Sequence, residues 1–203
     1  MTKAPTGHDE RQQVWPRADR GMRADAQRNL VVLLRAAKEV FAASGVDAPV
    51  REIADRAGVG IGTVYRHFPR RADLVAAVFR QEMDACADAV DMLAAKHPPF
   101  EALAEGMQLF VQLAATKRGL AEALHSGDPA FDALPARREQ RLRPAFQALF
   151  QTAMAAGALR RDIDADEFLN ATASLCMSAY DGRPDHVQRM VALLVDGLRH
   201  QAA

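Results

Sequence analysis

Cysteine is scarce in this chain. Cys86 and Cys176 are the two in 203 residues, too few and too far apart for a disulfide framework or a metal-ligand cluster. Both are expected to be small core residues in a reducing compartment, and no metal or cofactor is implied. Aromatic residues make up 6%, with a single Trp. No apolar run approaches the ~20 residues a membrane span needs, so no membrane partner is expected. The start of the chain is polar and interrupted by Pro5 and Pro16, without the apolar core of a secretory signal. A cytoplasmic location is therefore expected. Alternating β-branched segments are missing, which argues against sheets. There is also no P-loop, no paired metal ligands and no Gly-x-Ser-x-Gly elbow. His125, Ser126 and Asp128 are neighbours, but they fall in a turn and read as loop chemistry. An enzyme is not expected.

What the chain has in quantity is alanine and leucine, within an apolar share of 49%. Both favour helices and provide material for a core. Net charge is zero, yet residues 1–80 hold 14 Lys/Arg against 9 Asp/Glu, and residues 81–203 hold 12 against 17. A basic front on an acidic body suits a nucleic-acid-binding head carried by a module with another task.

The informative stretch is VREIADRAGVGIGTVYRHF, Val50 to Phe68. Ile53, Ala54 and Ala57 form a short apolar stripe, and Gly58-Val59-Gly60 interrupts it. Val64 and Phe68 then recur four residues apart, on one face of a second short helix. Thr63, Tyr65, Arg66 and His67 are left facing outward. Two compact helices around a turn, the second bearing hydrogen-bonding and cationic groups, is the helix-turn-helix arrangement for a DNA major groove. Arg66 is the best candidate to read a base, because its fork matches guanine O6 and N7. Thr63 suits a thymine methyl or a phosphate, and Tyr65 and His67 suit phosphates.

Periodicity organises the rest. Residues 1–22 read as a disordered arm with Arg17 and Arg20, and Arg23 follows it. A bracing helix runs from Asp25, its expected cap, to Ser44, with Leu30, Leu34, Ala37 and Phe41 in line and Gly45 as its stop. The head is expected to span residues 23–70, with a core of Leu34, Phe41, Ile53, Ala57, Val59, Val64 and Phe68. After it, Arg70 and Arg71 put two cations at a helix N-terminus, an unfavourable place unless an anion is near. Residues 71–203 read as a helical body. Its helices run from Arg71 to about Ala95, Phe100 to Thr116, and Leu120 to His125. Further helices cover Phe131 to Ala156, a span kinked or broken at Pro144, and a stretch up to about Tyr180 behind an Asp164 cap. The last opens at Pro184. The chain is expected to be all-α, with about nine helices.

Several residues also resemble a known family at fixed spacings. Gly45, Val50 to Ala54, Ala57-Gly58-Val59, Gly62 to Phe68, Arg71 and Leu74 resemble the N-terminal domain of TetR-family transcriptional regulators. The C-terminal half is similar to the SbtR-like subgroup, through Ala115 to Leu120, Ala156 to Arg160, Asp162 and Asp196 to Arg199. The resemblance implies a homodimer that binds double-stranded operator DNA, acts most often as a repressor, and lets go when a small-molecule effector enters the body. It places Val50 and Arg51 near the phosphate backbone. Ile61, Gly62, Thr63, Tyr65, Arg66 and His67 fall on or beside the recognition helix, and Arg71 at a phosphate. Pro49, Val50 and Gly60 depart from the family's usual hydroxyl residues, which implies thinner phosphate clamping on the second helix. The rival is a ligand-binding or protein-interaction module whose head no longer binds specific DNA.

For the body, Met83, Met107, Met154 and Met177 either line an effector cavity or fill irregular core space. If a cavity exists, Phe110, Phe146 and Phe150 are its expected aromatic walls, and an apolar or weakly polar effector is favoured. In this family the last two long helices would form a four-helix dimer interface. That expectation falls on Leu169, Thr172, Leu175 and Cys176, then Val187, Val191, Leu194 and Leu198.

Overall fold

The computed structural model describes residues 18–177 and 184–199, with side chains from 28 and from 185 onward. Ten α-helices follow one another: α1 (Ala18–Ser44), α2 (Val50–Ala57), α3 (Ile61–His67), α4 (Arg71–Lys96), α5 (Pro99–Gly119), α6 (Ala121–Leu124), α7 (Leu134–Arg137), α8 (Arg143–Ala155), α9 (Ala165–Met177) and α10 (Pro184–Asp196). A π turn, Arg138–Leu142, joins α7 to α8 without a break, so nine helical rods lie among the described residues. The all-α fold agrees with the periodicity. Among the described residues the nearest thing to a strand is one antiparallel bridge between Leu159 and Arg199.

Three features differ from expectation, each for a local reason. Helix α1 begins at Ala18, so residues 18–22 of the expected arm are helical and Asp25 lies inside the helix rather than capping it. The last helix breaker upstream is Pro16, and the Ala- and Arg-rich stretch after it favours helix. Residues 1–17, including Arg17, lie outside the described residues, as does Tyr180. Phe131 belongs to a 3-10 turn, Pro129–Phe131, headed by Asp128, whose Oδ1 accepts from the Ala130 amide at 2.8 Å; α7 starts after it. Pro144 does not break its rod, which runs on from α7 through the π turn into α8. Proline lacks an amide hydrogen and its ring crowds the carbonyl four residues back, and the π turn just before it widens the spiral to make room.

Helix α4 is the axis of the molecule. It packs against α1 at its start and against α5, α6, α7, the π turn and α8 along its length. One continuous core runs through it, from Leu33 and Phe41 in the head to Phe146, Phe150 and Leu198 in the body. The head core holds Leu34, Phe41, Ile53 and Val64 as buried residues, with Ala57, Val59 and Phe68 partly buried against them. Further on, Asp164 Oδ1 accepts from the Asp166 and Glu167 amides at 2.8 and 3.3 Å, capping α9 as expected.

Gly58 ends α2 in the left-handed region at φ +68°, and a Cβ built there meets nothing within 4 Å. The cost of a side chain is therefore one of backbone conformation alone. Gly58→Ala is expected to destabilise the protein by about 1–2 kcal/mol, measured as a lower urea midpoint with an unchanged slope.

Candidate nucleic-acid interface and ligand cavity

Helices α2 and α3 are short, and packing holds them in place. Ile53 and Ala54 of α2 and Val64 of α3 are buried to 1% exposure or less. The turn between them closes where the Val59 amide donates to the Ala54 carbonyl at 3.0 Å. Pro49 and Gly60 occupy the two N-caps, and neither helix has a side-chain cap. The hydroxyl caps missing from the sequence are thus not replaced; the Glu52 and Thr63 amides turn back to the Pro49 and Gly60 carbonyls at 2.9 and 2.8 Å, and the amides before them in each first turn have no side-chain cap.

The outer side of α3 is open. Ile61 is 45% and Tyr65 51% exposed; Gly62, Arg66 and His67 are also exposed, and Thr63 is half-buried. A Cβ added at Gly62 would meet nothing within 4 Å, which leaves the start of this helix bare backbone. Arg66 makes no ion pair or hydrogen bond among the described residues. On α2, Arg51 is exposed and only loosely paired, 3.9 Å from Asp55. Val50 is partly buried against the core.

The two cations opening α4 are spoken for inside the protein. Arg70 bonds Asp73 at 2.5 Å and Asp128 at 3.2 Å, and Asp73 accepts back from the Arg70 amide at 3.2 Å. The hydrogen bond from Arg70 holds the Asp73 carboxyl below its usual range. An acid at the third position of α4 thus offsets the cation at its N-terminus. Arg71 is half-buried and donates to the Val46 carbonyl, tying α4 to the turn between α1 and α2.

In the body, a cavity of about 360 Å³ lies between α4, α5, α6, α7, the π turn and α9. Met83, Phe110 and Met177 line it, as the sequence suggested. Phe146 lines an adjoining cavity of about 270 Å³. Met107, Phe150 and Met154 line neither. Met107 is fully buried, Phe150 packs on Phe168 at 6.0 Å between ring centres, and Met154 is partly buried against the same core. These three fill core space. Phe79, Leu124, Phe131, Leu134 and Arg138 line the larger cavity and were missed, because several sit in short elements where periodicity is too brief to register.

Five of the residues expected at a dimer interface face inward within the protomer. Thr172, Cys176, Val187, Val191 and Leu198 are all 4% exposed or less, because α9 and α10 bury those stripes against α5 within the protomer. Leu169 and Leu175 are partly buried against the core. What faces outward is Leu193 at 63%, Leu194 at 42% and Met177 at 41% exposure. Of the predicted set, only Leu194 is an exposed apolar side chain.

No helix among the described residues is long and apolar enough to cross a membrane. No group of three His, Cys, Asp or Glu side chains there could hold a metal ion. Both cysteines are free and buried. Burial, reinforced by Glu82, pushes the Cys86 thiol up to about 12. Burial raises Cys176 too, against a smaller pull from Arg118.

A three-helix head with an open second helix-turn-helix element, fused through one long helix to a hollow helical body, defines a DNA-binding regulator. Two family models match separate parts of the chain. Residues 33–78 match the bacterial regulatory proteins of the tetR family, and residues 98–200 match the C-terminal domain of SbtR-like transcriptional regulators. A TetR transcriptional regulator of Streptomyces coelicolor superposes with a TM-score of 0.73 at 35% identity, over 84% of this chain and 98% of that one. A TetR regulatory protein of Mycobacterium vanbaalenii gives 0.69 at 36% identity, over 88% and 99%. The protein belongs to the TetR family of transcriptional regulators, with an SbtR-like C-terminal domain. An HTH-type transcriptional regulator of Staphylococcus aureus is 26% identical over 109 residues, 53% of this chain and 59% of that protein. The chain thus spans less than two thirds of that relative.

Buried, protonated thiols are poor nucleophiles. A chromogenic disulfide reagent should label neither Cys86 nor Cys176 in the folded protein and both in denaturant. Rapid labelling of the native state would contradict their burial.

Proposed function

We propose that the protein is a repressor that binds a palindromic operator as a homodimer in the bacterial cytoplasm and is released by a small-molecule effector. The observation that carries this reading is the contrast between Arg66, which has no partner among the described residues, and the paired arginines Arg56, Arg70 and Arg71 around it. A long cation left unpaired on the exposed face of a recognition helix suits a guanine edge in the major groove. Ile61 suits a thymine methyl, as does Thr63. Tyr65, His67, Arg51 and the bare amides at Val50 and Gly62 suit phosphates, which set register. Arg71 supports the head by holding the α1–α2 turn.

Release has a physical route. Leu124 and His125 of the α6 segment and Phe131 line the cavity, and Asp128 lies between them in the chain, bonded to Arg70 at the head–body junction. An effector that displaces those walls moves Asp128 and shifts the balance between two placements of the head. For the dimer, the exposed Leu193 and Leu194 on α10 supply an apolar face that a two-fold partner would cover.

A gel shift with DNA flanking the protein's own gene tests the reading, with a salt-sensitive, sequence-selective shift as the expected result. If none appears, the head has lost specific binding and the body is a ligand- or protein-binding module. Arg66→Ala is expected to lose about 1–3 kcal/mol of discrimination between operator and mutated operator. Arg71→Ala should weaken both alike. The double variant Leu193→Glu, Leu194→Glu should sediment as a monomer where the parent sediments as a dimer.

A further inference from the structure

The larger cavity carries a chemical asymmetry that names its occupant. Its inner walls are apolar, with Phe79, Met83, Leu113, Phe131 and Leu142 buried. Its polar lining is Lys117, His125 and Arg138, all exposed towards the mouth, and no Asp or Glu among the described residues lines it. Several cations elsewhere in the body are matched, whereas the side chains of Arg80, Lys96, Arg161 and Arg189, none of which lines this cavity, pair with no carboxylate among the described residues. Arg137 pairs with Asp84, Arg141 with Asp88, Arg143 with Asp166 and Arg160 with Asp162. Lys117 and His125 have no ion pair or hydrogen bond among the described residues. Arg138 shares Glu139, which Arg143 also holds. The adjoining cavity lacks the asymmetry, because Glu139 and Asp166 line it beside Arg138 and Arg143.

We propose that this cavity takes an amphiphile with one anionic head, a monocarboxylate on an unbranched apolar chain. The chain lies against the buried Phe and Met walls, and the carboxylate sits at the mouth among Lys117, His125 and Arg138. An apolar ligand alone would leave Lys117 and His125 without an acceptor in the protein, and a cationic ligand would meet Lys117 and Arg138 with like charge. At about 360 Å³ the cavity is of a size that takes a small organic molecule. The inference rests on the reading of this cavity as the effector site, and it adds a head-group charge to the apolar or weakly polar molecule that composition suggested.

The test is calorimetric titration of the full chain, without DNA, using decanoate, decan-1-ol and acetate. Decanoate should bind, the alcohol should bind about tenfold or more weakly, and acetate should give no binding heat. Lys117→Gln should lower decanoate affinity by about tenfold and leave the alcohol unchanged, which shows the cavity intact. Arg138→Gln should act in the same direction. Equal affinity for acid and alcohol overturns the proposal, as does absence of decanoate binding at millimolar concentration. Unchanged decanoate affinity in both variants overturns it too. Since no DNA is present, these outcomes are independent of the gel shift, whose failure would overturn the regulator reading alone.

Discussion

Six consecutive residues of α4, Leu74 to Phe79, are buried at 7% exposure or less. A helix in this position cannot turn a polar face to water, because it has protein on every side. Helix α1 covers it from the head, and α5 and the α7–α8 rod cover it from the body. Each large side chain so buried stabilises the fold by about 1.5–3 kcal/mol, and the same residues serve two modules. The head therefore has no core wholly its own. It is held in place by the helix that also walls the cavity.

Charge is allocated along the same axis. At the junction the cations are neutralised within the protein: Arg56 by Glu39, Lys38 by Glu82, and Arg70 by Asp73 and Asp128. These pairs are largely exposed and contribute little stability individually, but they fix orientation and remove competing positive charge near the interface. The cationic group left open on α3 is Arg66, and on the cavity side it is Lys117.

Much of this was legible in the chain and some was not. The helix-turn-helix could be read from Ile53, Val64 and the glycines because its packing is local, within about twenty residues. The stripes of α4 and α5 could be read for the same reason, from Phe79, Met83 and Val90 on one and Leu103 and Met107 on the other. The partner of a stripe could not. Val187, Val191 and Leu198 repeat as an interface stripe would, yet they are buried within the protomer, and periodicity does not say which surface a stripe meets. Met107 and Met83 are similar residues on neighbouring helices; one fills core and the other faces a void, a distinction of packing volume that sequence does not carry.

The sequence by itself determined the all-α fold, the position of the head and the side of α3 that faces out, since helix period, turn glycines and side-chain direction are properties of short segments. The tertiary structure alone decided that Arg70 and Arg71 are occupied internally, that Asp128 reaches across 58 positions to the head, and that three basic side chains share one cavity mouth without an acid. Those are meetings between residues distant in the chain, and only the packed core brings them within reach of one another.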